Sequence, residues 1–148
     1  KNMEKIAQVI AQVLDTSIKT PQQINIDELN EYRLIGFGSG IYGEKHHKTL
    51  LDLVDTLPSV TNKNAFIFST HGAPAIAGEV MVETNHSVLR NRLVGKGYVI
   101  VDEFSCRGFN TNSFLRLFGG INKGRPNAED LQQAKAFAHQ LKKNFLNK

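Results

Sequence analysis

The feature that most constrains the fold of this chain is a continuous apolar run that ends in alternating glycines. Residues Arg33–Gly43 read Arg-Leu-Ile-Gly-Phe-Gly-Ser-Gly-Ile-Tyr-Gly. The first half, Arg33–Phe37, has the unbroken apolar character of a strand buried on both faces. The second half, Gly38–Gly43, predicts a glycine-rich loop at the exit of that strand. In α/β proteins such a loop, placed just before a helix, is the usual position of a bound ligand.

Buried strands alternate with helices along the rest of the chain. Further strands are predicted at Ala65–Phe68 and Tyr98–Phe104, and a weaker edge strand is predicted around Ile18. Helical spacing of apolar residues predicts helices over residues 1–14, 44–57 and 85–94, and a final helix that Asn127 caps. The segments 75–83 and 105–127 are predicted as loops. This alternation favours an α/β fold with a mostly parallel sheet and helices on both faces.

The first predicted helix has no strand before it. In a parallel sheet, an opening helix is expected to be the crossover from a preceding strand. We therefore expect residues 1–148 to form a single domain whose first strand lies upstream of Lys1. The alternative is a fold whose first element is this helix.

Composition and charge narrow the class of protein. The formal net charge is +4, yet no basic stripe interleaves with aromatic residues, so we expect dispersed surface charge and no nucleic-acid partner. No apolar run is long enough to span a membrane, and the charged start Lys1–Lys5 is unlike a signal peptide. The single cysteine, Cys106, excludes an intramolecular disulfide and fits a cytoplasmic protein.

Several polar side chains are weaker candidates for a functional site than the glycine-rich loop. His46 and His47 fall in a predicted helix, where neighbours point about 100° apart and do not form a metal-binding pair. Ser39 and Ser69 lack the Gly-x-Ser-x-Gly motif and a placed base, which argues against a hydrolase. Cys106 follows a strand and is either a redox thiol or a buried structural one.

Three segments resemble, in chain order, the cofactor-contacting loops of the flavodoxin family. Asn2-Met3 resembles the end of the phosphate loop, Gly38–Gly43 the second loop and Phe68–Gly72 the third. The tail is also similar to flavodoxin-like proteins, in Glu103–Phe109 and Gly119–Asn127. The resemblance covers nearly the whole chain. It implies a flavodoxin-like three-layer sandwich with a mostly parallel sheet of strand order 2-1-3-4-5.

The resemblance also implies FMN as the cofactor and electron transfer as the function, with a redox partner protein or a reductase as the partner. Met3 and Ile41 stand where the family usually has threonine. They support one alternative, a flavodoxin-like binding or regulatory module without FMN. Another alternative is an FMN-dependent NAD(P)H reductase. The cofactor-binding residues implied are Asn2, Met3, Gly38, Ser39, Gly40, Ile41, Tyr42, Gly43, Ser69, Thr70, His71 and Gly72.

Two of these residues have specific expected roles. The ring of Tyr42 is the best candidate for a wall of the flavin site, the alternative being an ordinary surface tyrosine. His71 is either a hydrogen-bond partner of the flavin edge or an exposed turn histidine.

Overall fold

The computed structural model describes residues 2–42, 45–71, 75–107 and 128–146. The predicted site residues Gly43 and Gly72 lie outside these ranges. So do the predicted helix cap Asn127 and most of the predicted loop 105–127.

The described strands form one four-stranded sheet. They are β1 (Leu34–Tyr42), β2 (Lys45–His46), β3 (Lys63–His71) and β4 (Tyr98–Arg107). Their spatial order is β2-β1-β3-β4, with β1, β3 and β4 parallel and the short β2 antiparallel to β1. The three parallel neighbours confirm the predicted buried strands and their relative order.

The strand order differs from the prediction at the other edge. No strand forms around Ile18 in the described ranges, and the outer position is taken by β2, which folds back on the end of β1. Ile18 is 46% exposed, so little burial favours a strand there.

In the part of the chain that the structure describes, four α-helices cover the sheet: α1 (Asn2–Leu14), α2 (Lys48–Thr56), α3 (Ala75–Gly95) and α4 (Ala128–Leu141). The prediction of a loop over residues 75–83 is wrong, because α3 begins at Ala75. Small residues hide the helical period in this segment, although alanine is the strongest helix former. The predicted helix over 44–57 begins only at Lys48, because the residues before it pair with β1.

Two apolar cores make the fold a three-layer α/β sandwich. On one face, Ile35 and Ile67 of the sheet pack with Leu51 of α2 and Leu89 of α3. On the other face, the rings of Phe66 and Phe68 pack with residues of α1 and α4. Side chains alternate between these faces along each strand. This arrangement confirms the predicted fold class.

As far as Tyr42, the predicted glycine-rich loop is part of strand β1. A Cβ atom added at Gly36 or Gly38 would lie 2.2 or 2.5 Å from the ring of Phe66 or Phe68, respectively. These glycines therefore make room for two phenyl rings of β3. The ladder between β1 and β3 continues through Ser39↔Ser69 and Gly40↔Thr70, so the predicted loop after Phe68 is strand as far as His71. Ladder pairing satisfies buried backbone groups that an irregular loop would leave unpaired.

Candidate functional site

The carboxyl ends of the parallel strands bring three serines into register. Ser39 of β1 pairs with Ser69 of β3, which pairs with Ser105 of β4. This polar row replaces the apolar pattern of the strands just where parallel α/β sheets commonly bind ligands. We call these three residues the serine row.

An exposed aromatic ring lies at the β1 end of the serine row. Tyr42 is 60% exposed, and its ring meets that of His47 edge-on, at a centroid distance of 5.1 Å and an interplanar angle of 85°. A Cβ added at Gly40 would come within 3.2 Å of the Tyr42 ring, so the missing side chain lets the ring lie close to the strand. The ring is therefore accessible and also held on two sides.

Ser39 joins this ring system to the start of α2. The Ser39 hydroxyl donates to the carbonyl oxygen of Gly40 at 2.7 Å and accepts from the backbone N–H of His47 at 2.9 Å. His47 caps α2, because its Nδ1 accepts from the backbone N–H of Thr49 at 3.1 Å. A neutral imidazole that caps a helix is fixed in orientation, which also fixes its contact with Tyr42.

The expectation that His46 and His47 share a helix is wrong. His46 lies in β2 and is 1% exposed, whereas His47 caps α2 and is exposed. Among the described residues, no three His, Cys, Asp or Glu side chains are grouped so that they would hold a metal ion.

Cys106 is buried in the core between the sheet and helices α1 and α4. This burial agrees with the alternative that Cys106 is a buried structural thiol.

A buried polar network lies beneath the serine row, on the face covered by α3. Ser69 Oγ is 2.7 Å from His86 Nε2 and 2.8 Å from Ser105 Oγ. His86 Nδ1 lies 2.8 Å from Glu103 Oε1. The expectation that Ser69 lacks a placed base is wrong, because His86 Nε2 lies within hydrogen-bond distance of its hydroxyl.

Arg90 holds the carboxylate of Glu103 with two hydrogen bonds. Its Nε donates to Oε2 at 2.7 Å and its Nη2 donates to Oε1 at 2.8 Å. Burial alone would raise the pKa of Glu103. The hydrogen bonds from His86 and Arg90 and the charge of Arg90 outweigh burial and hold that pKa at about 2. The carboxylate is therefore ionised at neutral pH.

His46 is a second buried histidine in this region, next to His86. Its Nε2 donates to the carbonyl oxygen of Phe68 at 3.2 Å, and its ring centroid lies 4.9 Å from that of His86. Burial, and after it the neighbouring His86, lower the pKa of His46, and together they outweigh the hydrogen bond to Phe68 and the charge of Glu103, so that the pKa is about 4.

Acidification from pH 6.5 to pH 4 is expected to lower the free energy of unfolding by about 3 kcal/mol through His46. In this window the unfolded chain protonates His46 and the folded chain does not, so this stability is present above pH 6.5 and is lost near pH 4. Glu103 adds a separate loss that begins below its unfolded pKa of 4.5 and continues to about 2. Urea denaturation at a series of pH values measures both.

Two histidine variants test whether His46 causes this pH dependence of the free energy of unfolding. His46→Gln should flatten the slope between pH 6.5 and pH 4, whereas His139→Gln, at an exposed site on α4, should leave it unchanged. An equal slope in wild type and His46→Gln would contradict the assignment.

The residues that the resemblance implied fall in several environments. Ser39, Gly40, Ile41 and Tyr42 lie together at the end of β1. Alternation along β3 places Ser69 and His71 on the α3 side of the sheet and Thr70 on the α1/α4 side.

The other predicted site residues differ in burial. His71 is 7% exposed and lies in a strand, so it is not an exposed turn histidine. Asn2 and Met3 begin α1, and the side chain of Met3 packs against the α1/α4 core.

Local sequence patterns do not single out His86, Glu103 and Arg90 as site residues. The signals in the sequence were the spacing of His86 and Arg90, four residues apart on one helical face, and the two consecutive carboxylates Asp102 and Glu103 in a predicted buried strand.

No protein-family model matches the sequence. An uncharacterized protein of Methanocaldococcus jannaschii is 45% identical over 144 residues, which are 97% of this chain and 92% of that protein. The fold resembles a flavodoxin from the domain Archaea, with a TM-score of 0.63 and 15% identity over 96% of this chain and 89% of that one.

A second solved structure shares the fold. The Flv1 flavodiiron core of Synechocystis matches with a TM-score of 0.55 and 16% identity, over 96% of this chain and 33% of that one. The chain therefore has a flavodoxin-like fold.

None of the helices in the described ranges is both long and apolar enough to cross a membrane.

Proposed function

We propose that this chain, which belongs to the same family as the Methanocaldococcus jannaschii protein, is an FMN-binding electron-transfer protein. The fold it shares with an archaeal flavodoxin supports the proposal, as does the polar carboxyl edge of its sheet. The observation that carries it is the exposed, oriented ring of Tyr42 at the end of β1.

The surroundings of Tyr42 fit a flat aromatic ligand. A tyrosine that is 60% exposed loses some rotamer freedom when a ligand packs on it. Here the edge contact with His47 and the close approach to Gly40 already restrict the ring. A preorganised wall binds an isoalloxazine ring at a lower entropic cost.

The proposal places the FMN phosphate at the start of α1, where Asn2 and Met3 begin the helix. The first N–H groups of a helix have no partner inside it and carry a partial positive charge, so they favour phosphate. Met3 would contribute its backbone only, because its side chain packs against the α1/α4 core.

When bound, FMN supplies the redox chemistry, and the protein supplies binding and electrostatics. Tyr42 orients the ring, and Ser39 and His47 hold Tyr42 in place through the contacts described above. The partner in this proposal is a redox protein or a reductase that exchanges electrons with the cofactor.

Tyr42→Ala is expected to weaken FMN binding about tenfold, equivalent to about 1.4 kcal/mol, because it removes one aromatic wall. Tyr32→Ala is the matched control, since Tyr32 is 45% exposed and precedes β1 at its opposite end. Quenching of flavin fluorescence during titration with the protein measures both dissociation constants.

The same titration discriminates the alternatives. Absence of FMN binding by the wild-type protein would contradict the proposal and favour the module without FMN. Binding with reversible reduction by dithionite supports the electron carrier, whereas sustained oxidation of NADPH by the FMN-loaded protein would identify a reductase.

A further inference from the structure

A hydrogen-bonded chain connects a fully buried histidine to the carboxyl edge of the sheet. We call the chain Ser105–Ser69–His86 the serine–histidine relay. His86 and Ser69 are both 0% exposed, whereas Ser105 is half-buried at the end of the serine row. The two links measure 2.8 Å between the hydroxyl oxygens and 2.7 Å from Ser69 Oγ to His86 Nε2.

Glu103 fixes the inner end of this relay. Both oxygens of an ionised carboxylate only accept hydrogen bonds, so His86 Nδ1 must donate to Oε1. Passage of a proton through Glu103 would require protonation of a carboxyl whose pKa is about 2. The route from His86 to water therefore runs through the serines at ordinary pH.

The direction of the relay depends on the charge of His86. In the neutral ring Nε2 accepts, so Ser69 donates to it and is free to accept from Ser105. In the charged ring Nε2 donates, so Ser69 turns and donates to Ser105. When a proton arrives at Ser105, the Ser105 hydroxyl passes its own proton to Ser69, and Ser69 passes its own proton to His86 Nε2. Each hydroxyl therefore gains one proton and loses one.

Charged and titratable groups surround His86 from several elements. Glu103 of β4 compensates a positive ring, while Arg90 of α3 fixes the carboxylate and reaches Glu83 at the surface. His46 of β2 faces His86, but its Nε2 proton is committed to Phe68. In β3, His71 lies two residues beyond Ser69 on the same face.

We propose that His86 stores a proton that enters through Ser105 and Ser69, and that it takes up this proton when a flavin at the carboxyl edge is reduced. The second half rests on the proposed function. The redox partner would supply the electrons for a bound flavin, and the His86 imidazole would take up one proton from the solvent through the two serines, with a new N–H bond at Nε2. The positive ring then offsets the negative charge of the reduced cofactor.

The relay itself is tested without FMN. Nuclear magnetic resonance of the wild-type protein, at a pH low enough for the His86 ring to carry a proton on both nitrogens, measures the exchange rate between water and the His86 Nε2 proton. Ser69→Ala and Ser105→Ala should each slow this exchange at least about tenfold while the ring remains bonded to Glu103. Ser87→Ala is the control, because its hydroxyl is bonded to the carbonyl oxygen of Thr84 on the same helix.

Unchanged exchange in both serine variants would overturn the relay. Covalent labelling of Ser69 by a fluorophosphonate would also overturn it, since this reaction would show an accessible nucleophile and not an internal link.

The coupling is tested with FMN bound, from the slope of the midpoint potential against pH. Wild type and His139→Gln should show the same slope, and His86→Gln a shallower one, because one group that binds a proton on reduction is lost. Equal slopes in all three proteins would overturn the coupling. Failure of the wild type to bind FMN would instead refute the proposed function, and the exchange experiment would still decide the relay.

Discussion

Replacement of Glu103 by alanine is expected to lower the free energy of unfolding by about 3 kcal/mol or more, because it leaves two buried partners without their acceptor. His86 is 0% exposed and the side chain of Arg90 is 19% exposed, so water replaces the lost hydrogen bonds poorly. Glu103→Gln retains one carbonyl oxygen in nearly the same volume and should lose less. Urea denaturation at pH 7 measures all three proteins.

Asp52→Ala is the matched control for Glu103. Asp52 Oδ2 lies 2.7 Å from Lys48 Nζ, the same length as the contact between Arg90 and Glu103, but both side chains are more than half exposed. Such a pair contributes about 0.5 kcal/mol or less. If Glu103→Ala were as mild as Asp52→Ala, the buried network would contribute nothing to stability.

Gly97→Ala is expected to destabilise the fold by about 3 kcal/mol, since it combines backbone strain with overpacking. Gly97 has a φ of +102°, and an added Cβ would lie 1.7 Å from the carbonyl oxygen of Val60. Val60 is itself fixed, because its N–H donates to the carbonyl oxygen of Lys96 at 2.6 Å. Thermal or urea unfolding measures the loss.

Gly95 provides the internal control for this substitution. It ends α3 only two residues earlier, and an added Cβ would meet no atom within 4 Å. Gly95→Ala should therefore leave the free energy of unfolding unchanged or raise it by up to about 1 kcal/mol. A loss as large in Gly95→Ala as in Gly97→Ala would show that the helix end, and not the contact with Val60, causes the effect.

At the carboxyl ends of the strands, the sequence pattern no longer predicts secondary structure correctly. Apolar runs indicated the first halves of β1, β3 and β4, because a strand covered on both faces favours apolar side chains on both of them. The small and polar residues after Phe37 and Phe68 lack that signal, and they were predicted as loops. Their pairing partners on neighbouring strands keep them extended, and those partners are distant in sequence.

The glycine at position 38 is consistent both with a cofactor-binding loop and with close packing inside the sheet. Sequence context suggested a loop that approaches a cofactor, whereas in the structure the missing side chain accommodates the ring of Phe68. Tyr42 remains the predicted residue whose exposure suits a flavin wall, although it stands on a strand and not on a loop.

By itself, the sequence determined that this chain builds a parallel α/β sheet with helices on both faces, since periodic burial is a local property of each segment. The tertiary structure alone decided the serine–histidine relay. Ser69 and His86 are 17 residues apart, as are His86 and Glu103, so no local pattern reports their contact. They meet because the pairing of β3 with β4 and the packing of α3 across that pair bring three separate elements to one buried point.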